Sequence, residues 1–460
     1  MRTLVSQPGS TFRDPAGSLR IEGEEVLRTV YADYAREALS FLRSDLAKRW
    51  MREGRLIEST VLSADEGEAL ALQHPRVFFP SYPWEWTCGQ WVAAGELTLD
   101  LCDQLLDEGW ILKDATPLNV LFEGCRPVFI DVLSVERRDP ESPLWLAYGQ
   151  FARTFLLPLA ACKYLGWPLA ATLNRRDGYE PGELYPYLSF WQRWSKQLRS
   201  LVTLPSLLEK KTLSRGAPPK LRHIPEIATA VLRRKIRGIR KTLLALEPEL
   251  RNSRWSDYPL DADHYSEDDR RKKRSFVSNA MVAIHPEYVL DIGANTGEYS
   301  RLAAKTGAKV VAWDNDLVSS EHNWIAAREQ GLAIQPMVVD VARPTPAVGW
   351  RNGESASLLD RAYEQFDCVM LLGMVHHLLV VDQIPLGNIV ALLARLTRRW
   401  ALIEWVPKTD ARFIDLCRGR DHLYMHLDEA FFRSSFAERF TVLDSERLQN
   451  GRTLYLFEKK

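Results

Sequence analysis

From about residue 261 onward the chain alternates short, largely apolar runs with longer stretches of mixed polarity; before that point it does not. The runs lie near 288–292, 309–313, 335–339, 366–372 and 400–405, with a closing pair near 439–444 and 453–458. Runs of this length predict strands buried on both faces. Between them lie stretches of mixed polarity and helical length, for example Val318 to Gln330, which Gly331 stops, and these predict helices. Strands alternating with helices imply a mostly parallel sheet covered on both sides, closed by an antiparallel hairpin.

Residues 1–202 have a different texture, rich in tryptophan and tyrosine. A hairpin is predicted over Ser18 to Arg28 with its turn at Gly23, followed by helices over Tyr31 to Arg49 and Leu97 to Glu108. Phe155 to Leu173 is the most apolar stretch, but Pro158, Lys163 and Pro168 interrupt it, so it predicts a buried helical pair and not a membrane span. Residues 203–260 carry Pro205, Pro218, Pro219 and Pro225 around a basic run, Arg233 to Lys241. This predicts a linker holding a charged helix, whose cations face solvent more often than nucleic acid. A second basic cluster, Arg270 to Arg274, follows Glu267-Asp268-Asp269, which can neutralise it locally. The expected division is therefore 1–202, a linker over 203–260, and 261–460.

Length and charge narrow the function. A chain of 460 residues exceeds one ordinary core. Its 60 basic and 60 acidic residues cancel, so no global field draws it to nucleic acid or to an anionic membrane; only local patches could. Six cysteines without paired spacing predict neither a zinc site nor a disulfide framework, and fit a reducing cytoplasm. The first twenty residues lack the apolar segment of a secretory signal.

The chemistry concentrates at the ends of the predicted strands. Val289-Leu290-Asp291-Ile292-Gly293-Ala294-Asn295-Thr296-Gly297 runs a strand into an acid and two spaced glycines. Asp314, Asp340 and Glu404 end later strands. Ligands of open α/β sheets bind at these carboxyl ends. Gly293 and Gly297 permit a tight turn close to a ligand, while Asp291 is a carboxylate better suited to a cationic group than to a pyrophosphate. A dinucleotide fingerprint would need glycine where Asn295 and Glu298 stand. Asp314 is placed to accept the hydroxyls of a ribose, and Asp340 an adenine amino group.

These residues, with Phe366-Asp367-Cys368-Val369-Met370, resemble the class I S-adenosylmethionine-dependent methyltransferases over roughly the last 200 residues. The resemblance implies a Rossmann-like seven-stranded sheet with an antiparallel final hairpin, S-adenosyl-L-methionine as cofactor, and a cofactor site built from Asp291, Gly293, Asn295, Gly297, Asp314, Asp340 and Gly373. In such a fold the loop after the fourth strand, Leu372 to Leu378, faces the reacting methyl. His376 or His377 could take a proton there, or could pack the following helix. Glu404 is either a catalytic carboxylate or a buried acceptor for loop backbone. Arg412, Arg418, Arg420 and His422 are candidate substrate contacts. Trp255, Tyr258, His264 and Tyr265 are candidates for a lid.

In the first half, Asp114, Asn119 and Asp131 set an acid, an amide and, after an apolar strand, a second acid. This is the grammar of phosphoryl transfer and resembles the catalytic loop and metal-binding segment of α+β protein-kinase-like folds. Lys113 stands where a His-Arg pair is usual, Asp131-Val132-Leu133 replaces Asp-Phe-Gly, and no glycine-rich loop or strand lysine precedes residue 90. The half therefore reads as a degenerate kinase-like domain. The pairing of the two halves, with Ser81-Tyr82-Pro83-Trp84-Glu85-Trp86, resembles bacterial proteins loosely related to host-specific nodulation proteins. It implies methyl transfer to a small-molecule or glycan acceptor that the first half recognises. The alternatives are a cofactor-sensing scaffold and a bifunctional enzyme with an active kinase-like half.

Overall fold

The computed structural model describes residues 13–23, 25–64, 67–212, 224–250 and 265–460. The chain forms two compact units, Met1–Glu249 with Val348–Ser355, and Leu250–Ala347 with Ala356–Lys460.

In the first unit, β1 (Gly17–Glu22), β2 (Glu25–Val30), β3 (Thr60–Ser63) and β4 (Leu70–Pro75) form an antiparallel sheet ordered β1-β2-β4-β3. Gly23, at φ +61°, makes the predicted hairpin turn in a region that side chains disfavour. Two ribbons follow: β5 (Trp110–Leu112) with β8 (Val135–Arg137), and β6 (Val120–Glu123) with β7 (Arg126–Phe129). A helix over Cys88–Leu105 is buried on nearly every side. It starts nine residues before the expected Leu97 because Thr87 and Gln90 cap it reciprocally: Thr87 Oγ1 accepts from the Gln90 amide at 3.2 Å, and Gln90 Oε1 from the Thr87 amide at 2.9 Å.

The basic run lies on a helix, Pro225–Ala245, that packs against Cys88–Leu105. Ala228, Leu232, Ile236 and Leu243 form its buried stripe, and a β-carbon on Gly95 would come within 2.8 Å of Leu243. Its cations answer the neighbouring helix: Arg233 pairs with Asp103 at 2.9 Å and Asp107 at 2.6 Å, and Arg240 with Asp100. This part of the 203–260 stretch is thus a packed element of the first unit. The apolar Phe155 to Leu173 stretch contains a helix, Leu157–Leu165, ended by Gly166 at φ +69°, then a turn of 3-10 helix over Leu169–Asn174. Among the described residues no helix is long and apolar enough to cross a membrane.

The second unit holds a seven-stranded sheet of β9 (Tyr288–Ile292), β10 (Lys309–Asp314), β11 (Ile334–Val338), β12 (Phe366–Leu371), β13 (Thr397–Trp405), β14 (Phe440–Arg447) and β15 (Thr453–Lys459). Its order is β11-β10-β9-β12-β13-β15-β14; the first five strands are parallel, and β15 runs antiparallel between β13 and β14. Val289, Leu290, Val310, Val311, Val369, Met370, Leu402 and Ile403 are all buried, as expected where helices cover both faces. Each such side chain stabilises the fold by about 1.5–3 kcal/mol relative to exposure. The register sets Met370 beside Asp291 and Trp313 beside Ile292, so the carboxyl ends of the central strands open on one edge.

Candidate functional site

The loop after β9 is held by its neighbour strand. The amides of Gly293 and Ala294 donate to the Trp313 carbonyl at 2.8 and 3.1 Å. Asn295 sits at φ +50°, which asparagine tolerates better than most residues; its amide donates to Asp314 Oδ2 at 2.8 Å. Gly293 and Gly297 have φ of +74° and +79°. A β-carbon on Gly293 would fall on the Met374 side chain, and one on Gly297 on the Asn323 amide. Protein neighbours therefore demand glycine at both positions, in addition to the turn itself.

Two acids converge on this loop. Asp291 is buried, and its Oδ2 accepts from Ser300 Oγ at 2.6 Å. Burial pushes its carboxyl up to about 6; the Ser300 hydroxyl opposes that shift, and the charge of Asp314 adds to it. Asp314 accepts from the Asn295 amide through Oδ2 and from the Asp316 amide through Oδ1, each at 2.8 Å. Burial raises it as well, to about 6, against those backbone hydrogen bonds. Asp340, past β11, closes its own turn. Its Oδ1 accepts from the amides of Ala342 at 2.9 Å and Arg343 at 3.3 Å, and its Oδ2 lies 3.0 Å from the Arg343 guanidinium. Asp291, Gly293, Asn295, Gly297 and Asp314 form one cluster, with Asp340 at the adjoining strand end.

Across β12, Gly373 has φ +72°, and a β-carbon there would lie 3.5 Å from Glu404 Oε2. The short helix Val375–Val380 carries His376, buried, and His377, half-buried, with ring centroids 4.4 Å apart. Glu404 is fully buried. Its Oε2 accepts from Lys273 Nζ at 2.8 Å and its Oε1 from the Tyr265 hydroxyl, with an Arg452 nitrogen 3.8 Å away. Burial by itself would raise its pKa, but the Lys273 and Arg452 charges, with these hydrogen bonds, hold it below the ordinary glutamate value. Arg452 forks onto Asp410 at 2.8 and 3.1 Å and donates to the Tyr265 hydroxyl at 2.6 Å. The acceptor role foreseen for Glu404 is therefore filled by side chains, not by loop backbone.

Lys273 and Arg452 are the residues that sequence reasoning missed. Lys273 is the one cation of the Arg270 to Arg274 cluster that points inward beside Glu404, whereas Arg271 and Lys272 pair with Asp268 as expected. Of the aromatic lid candidates, Tyr265 joins this buried network; Trp255, Tyr258 and His264 lie outside the described residues. Arg420 Nε donates to the Cys417 carbonyl at 3.2 Å, a contact within its own turn.

In the first unit, Asn119 and Asp131 flank the open end of the β6–β7 ribbon, where the Ile130 amide donates to the Asn119 carbonyl at 2.9 Å. Asn119 Nδ2 donates to Ser134 Oγ at 3.0 Å, and Ser134 Oγ donates to Asp131 Oδ2 at 2.5 Å. The other oxygen of Asp131 takes a guanidinium bond from Arg28 on β2 at 2.8 Å. Burial raises Asp114, with the Asp131 charge adding to the shift and Lys113 opposing it. The acid-amide pattern thus forms one cluster, and its second acid is neutralised by an arginine of the same unit.

No family model matches the chain. It is 28% identical to nodulation protein NoeA of Rhizobium meliloti (strain 1021), over 98% of this chain and 95% of that protein. Among solved structures it overlaps the N-methyltransferase NodS from Bradyrhizobium japonicum WM9 at 12% identity and TM-score 0.31, covering 42% of this chain and 98% of the other. Magnesium protoporphyrin IX methyltransferase from Synechocystis PCC 6803, with bound SAH, gives 18% identity and TM-score 0.31, covering 42% of this chain and 84% of that one. The bifunctional kinase-methyltransferase WbdD gives 16% and 0.32, covering 48% of this chain and 45% of the other. Overlaps at such TM-scores carry no functional weight; the sheet order and the acid-glycine loop do.

Proposed function

We propose that the second unit binds S-adenosyl-L-methionine and transfers its methyl group to a small-molecule or glycan acceptor. The observation that carries this reading is the convergence of Asp291 and Asp314 on the glycine loop at neighbouring strand ends of a 3-2-1-4-5-7-6 sheet. The donor set suits the cofactor. Asp314 is held by backbone amides, those of Asn295 and Asp316 on different oxygens and that of Asn315 beside them, and keeps acceptor capacity for a ribose hydroxyl. Asp291, beside the loop, offers a carboxylate to an ammonium or sulfonium group. Asp340 contributes least, because Arg343 already covers it. When bound, the cofactor supplies the electrophilic methyl. The protein's part is to align an acceptor with it, and His377, less buried than His376, is the candidate to hold the acceptor's proton. Glu404 holds Lys273 and Tyr265 in place and is a positioning residue. We read the first unit as kinase-like and inert in phosphoryl transfer, since Arg28 occupies the acid that would hold magnesium, and as the part that recognises the acceptor. Isothermal titration of S-adenosylmethionine and S-adenosylhomocysteine against wild type and Asp314→Ala tests the core of this reading. Binding to wild type that the variant loses supports it; a wild type that binds neither overturns it.

A further inference from the structure

One segment of the first unit inverts the usual distribution of side chains. Between Leu184 and Leu208 the chain runs through short helical turns anchored by five aliphatic residues that point inward: Leu184, Leu188, Leu198, Leu201 and Val202 are at most 4% exposed. Its aromatic residues point outward, with Trp191 at 82%, Tyr187 at 67%, Phe190 at 64% and Trp194 at 48%, next to exposed Leu204, Leu207 and Leu208. Elsewhere among the described residues the tryptophans are buried or half-buried except Trp350, so this outward display departs from how the chain otherwise treats the side chain. The display is braced from within. Arg193 lies 4.3 Å over the Tyr185 ring and donates to the Tyr185 carbonyl at 3.1 Å, and Thr203 Oγ1 donates to the Arg193 carbonyl at 2.6 Å. Scattered exposed apolar residues need no explanation, but a run of them on one short segment marks a surface that meets something.

Charge says what it meets. In a chain whose charges cancel, Leu184 to Leu208, between Glu183 and Glu209, contains no Asp or Glu and three cations, Arg193, Lys196 and Arg199; Glu183 is paired with Arg175. Lys196 and Arg199 are exposed beside the aromatic residues. Tryptophan and tyrosine favour the boundary between lipid headgroups and acyl chains, where an apolar ring and a polar edge are both accommodated, and neighbouring cations favour anionic headgroups. We propose that this face docks peripherally on the surface of an anionic lipid bilayer. A second copy of the chain would present its own Lys196 and Arg199 to the same two cations and is the poorer occupant on charge.

The full-length chain should co-sediment with vesicles of equimolar phosphatidylcholine and phosphatidylglycerol, much less with phosphatidylcholine alone, and less as salt rises. Tryptophan emission should shift to the blue on binding. The Phe190→Ser/Trp191→Ser double variant should weaken binding by about tenfold or more, and Lys196→Glu/Arg199→Glu should remove the preference for the anionic vesicle, both with unchanged thermal unfolding because the side chains are exposed. Absence of sedimentation with the anionic vesicle overturns the proposal, as does equal sedimentation of wild type and the serine variant. A wild-type dimer in sedimentation velocity that the serine variant abolishes, without vesicle binding, assigns the face to self-association and overturns it too.

Discussion

The two acid clusters of this chain look alike in sequence and differ in how their charge is balanced. In the first unit, Asp131 is bonded to the Arg28 guanidinium and to a serine hydroxyl that also serves Asn119. In the second, Asp291 and Asp314 are held by a hydroxyl and by backbone amides, and Lys273 acts on Asp291 only through space. A carboxylate with its own cation does not require one from outside. A buried carboxylate held by neutral donors remains an unfilled electrostatic demand, which burial expresses by raising its pKa. The second unit contains an internal control, because Glu404 is as buried as Asp291 yet is balanced by Lys273 and Arg452 and is pushed the other way.

The largest effect should come from unbalancing that control. Lys273→Met strips the ammonium from a fully buried glutamate and should destabilise the second unit by about 3–5 kcal/mol in denaturant unfolding, with Lys273→Met/Glu404→Gln recovering much of the loss. An equal loss in single and double variants would show that the lysine matters for packing alone. Asp314→Asn removes a charge that no cation among the described residues pairs with. It should weaken S-adenosylmethionine by about 10- to 100-fold in titration calorimetry and, because the amide of Asn295 or of Asp316 then loses its acceptor, lower stability by about 1–2 kcal/mol. Arg28→Met leaves Asp131 without its cation and should destabilise the first unit by about 2 kcal/mol. Magnesium should restore part of that stability in the variant and do nothing for wild type, and a magnesium response in wild type would erase the contrast between the clusters. The smallest effect is on pH. The ionised form of Asp291 is the one that attracts a cationic group and that of Asp314 the better acceptor for ribose hydroxyls, and burial pushes both carboxyls up to about 6. Affinity measured by calorimetry should therefore hold above that value and fall by about tenfold as pH drops below it.

The sheet was legible because parallel strands buried on both faces leave largely apolar runs, and because acids stand at their carboxyl ends: Asp291 one residue before the end of its run, Asp314 and Asp340 just past theirs. The helix over Leu317–Glu329 was legible to within one residue at either end from its place between two predicted strands and from the stop at Gly331. The partners of the acids were not. Lys273 lies 131 positions from Glu404, and Arg28 lies 103 from Asp131, so no local pattern links them. Within a run of five basic residues nothing but helical phase tells which one turns inward, and the phase depends on where Ser266 caps the helix. The helix over Pro225–Ala245 hid its stripe of Ala228, Leu232, Ile236 and Leu243 beneath a high density of charge. Its cations were read as solvent-facing, which holds for Arg234, Lys235, Arg237 and Lys241; Arg233 and Arg240 instead pair with Asp100, Asp103 and Asp107, more than a hundred positions away in sequence.

The knot of Glu404, Lys273, Tyr265 and Arg452 also bears on how the second unit comes together in time. Tyr265 meets Arg452 across 187 positions and Lys273 meets Glu404 across 131. Closing loops of that length draws heavily on chain entropy, and a sheet whose central strand pairs with β10 and with the much later β12 is slow to assemble for the same reason. Lys273 and Glu404 are therefore expected to leave water only once β13 and β15 have paired, so desolvation of this knot should fall late in the assembly of the unit.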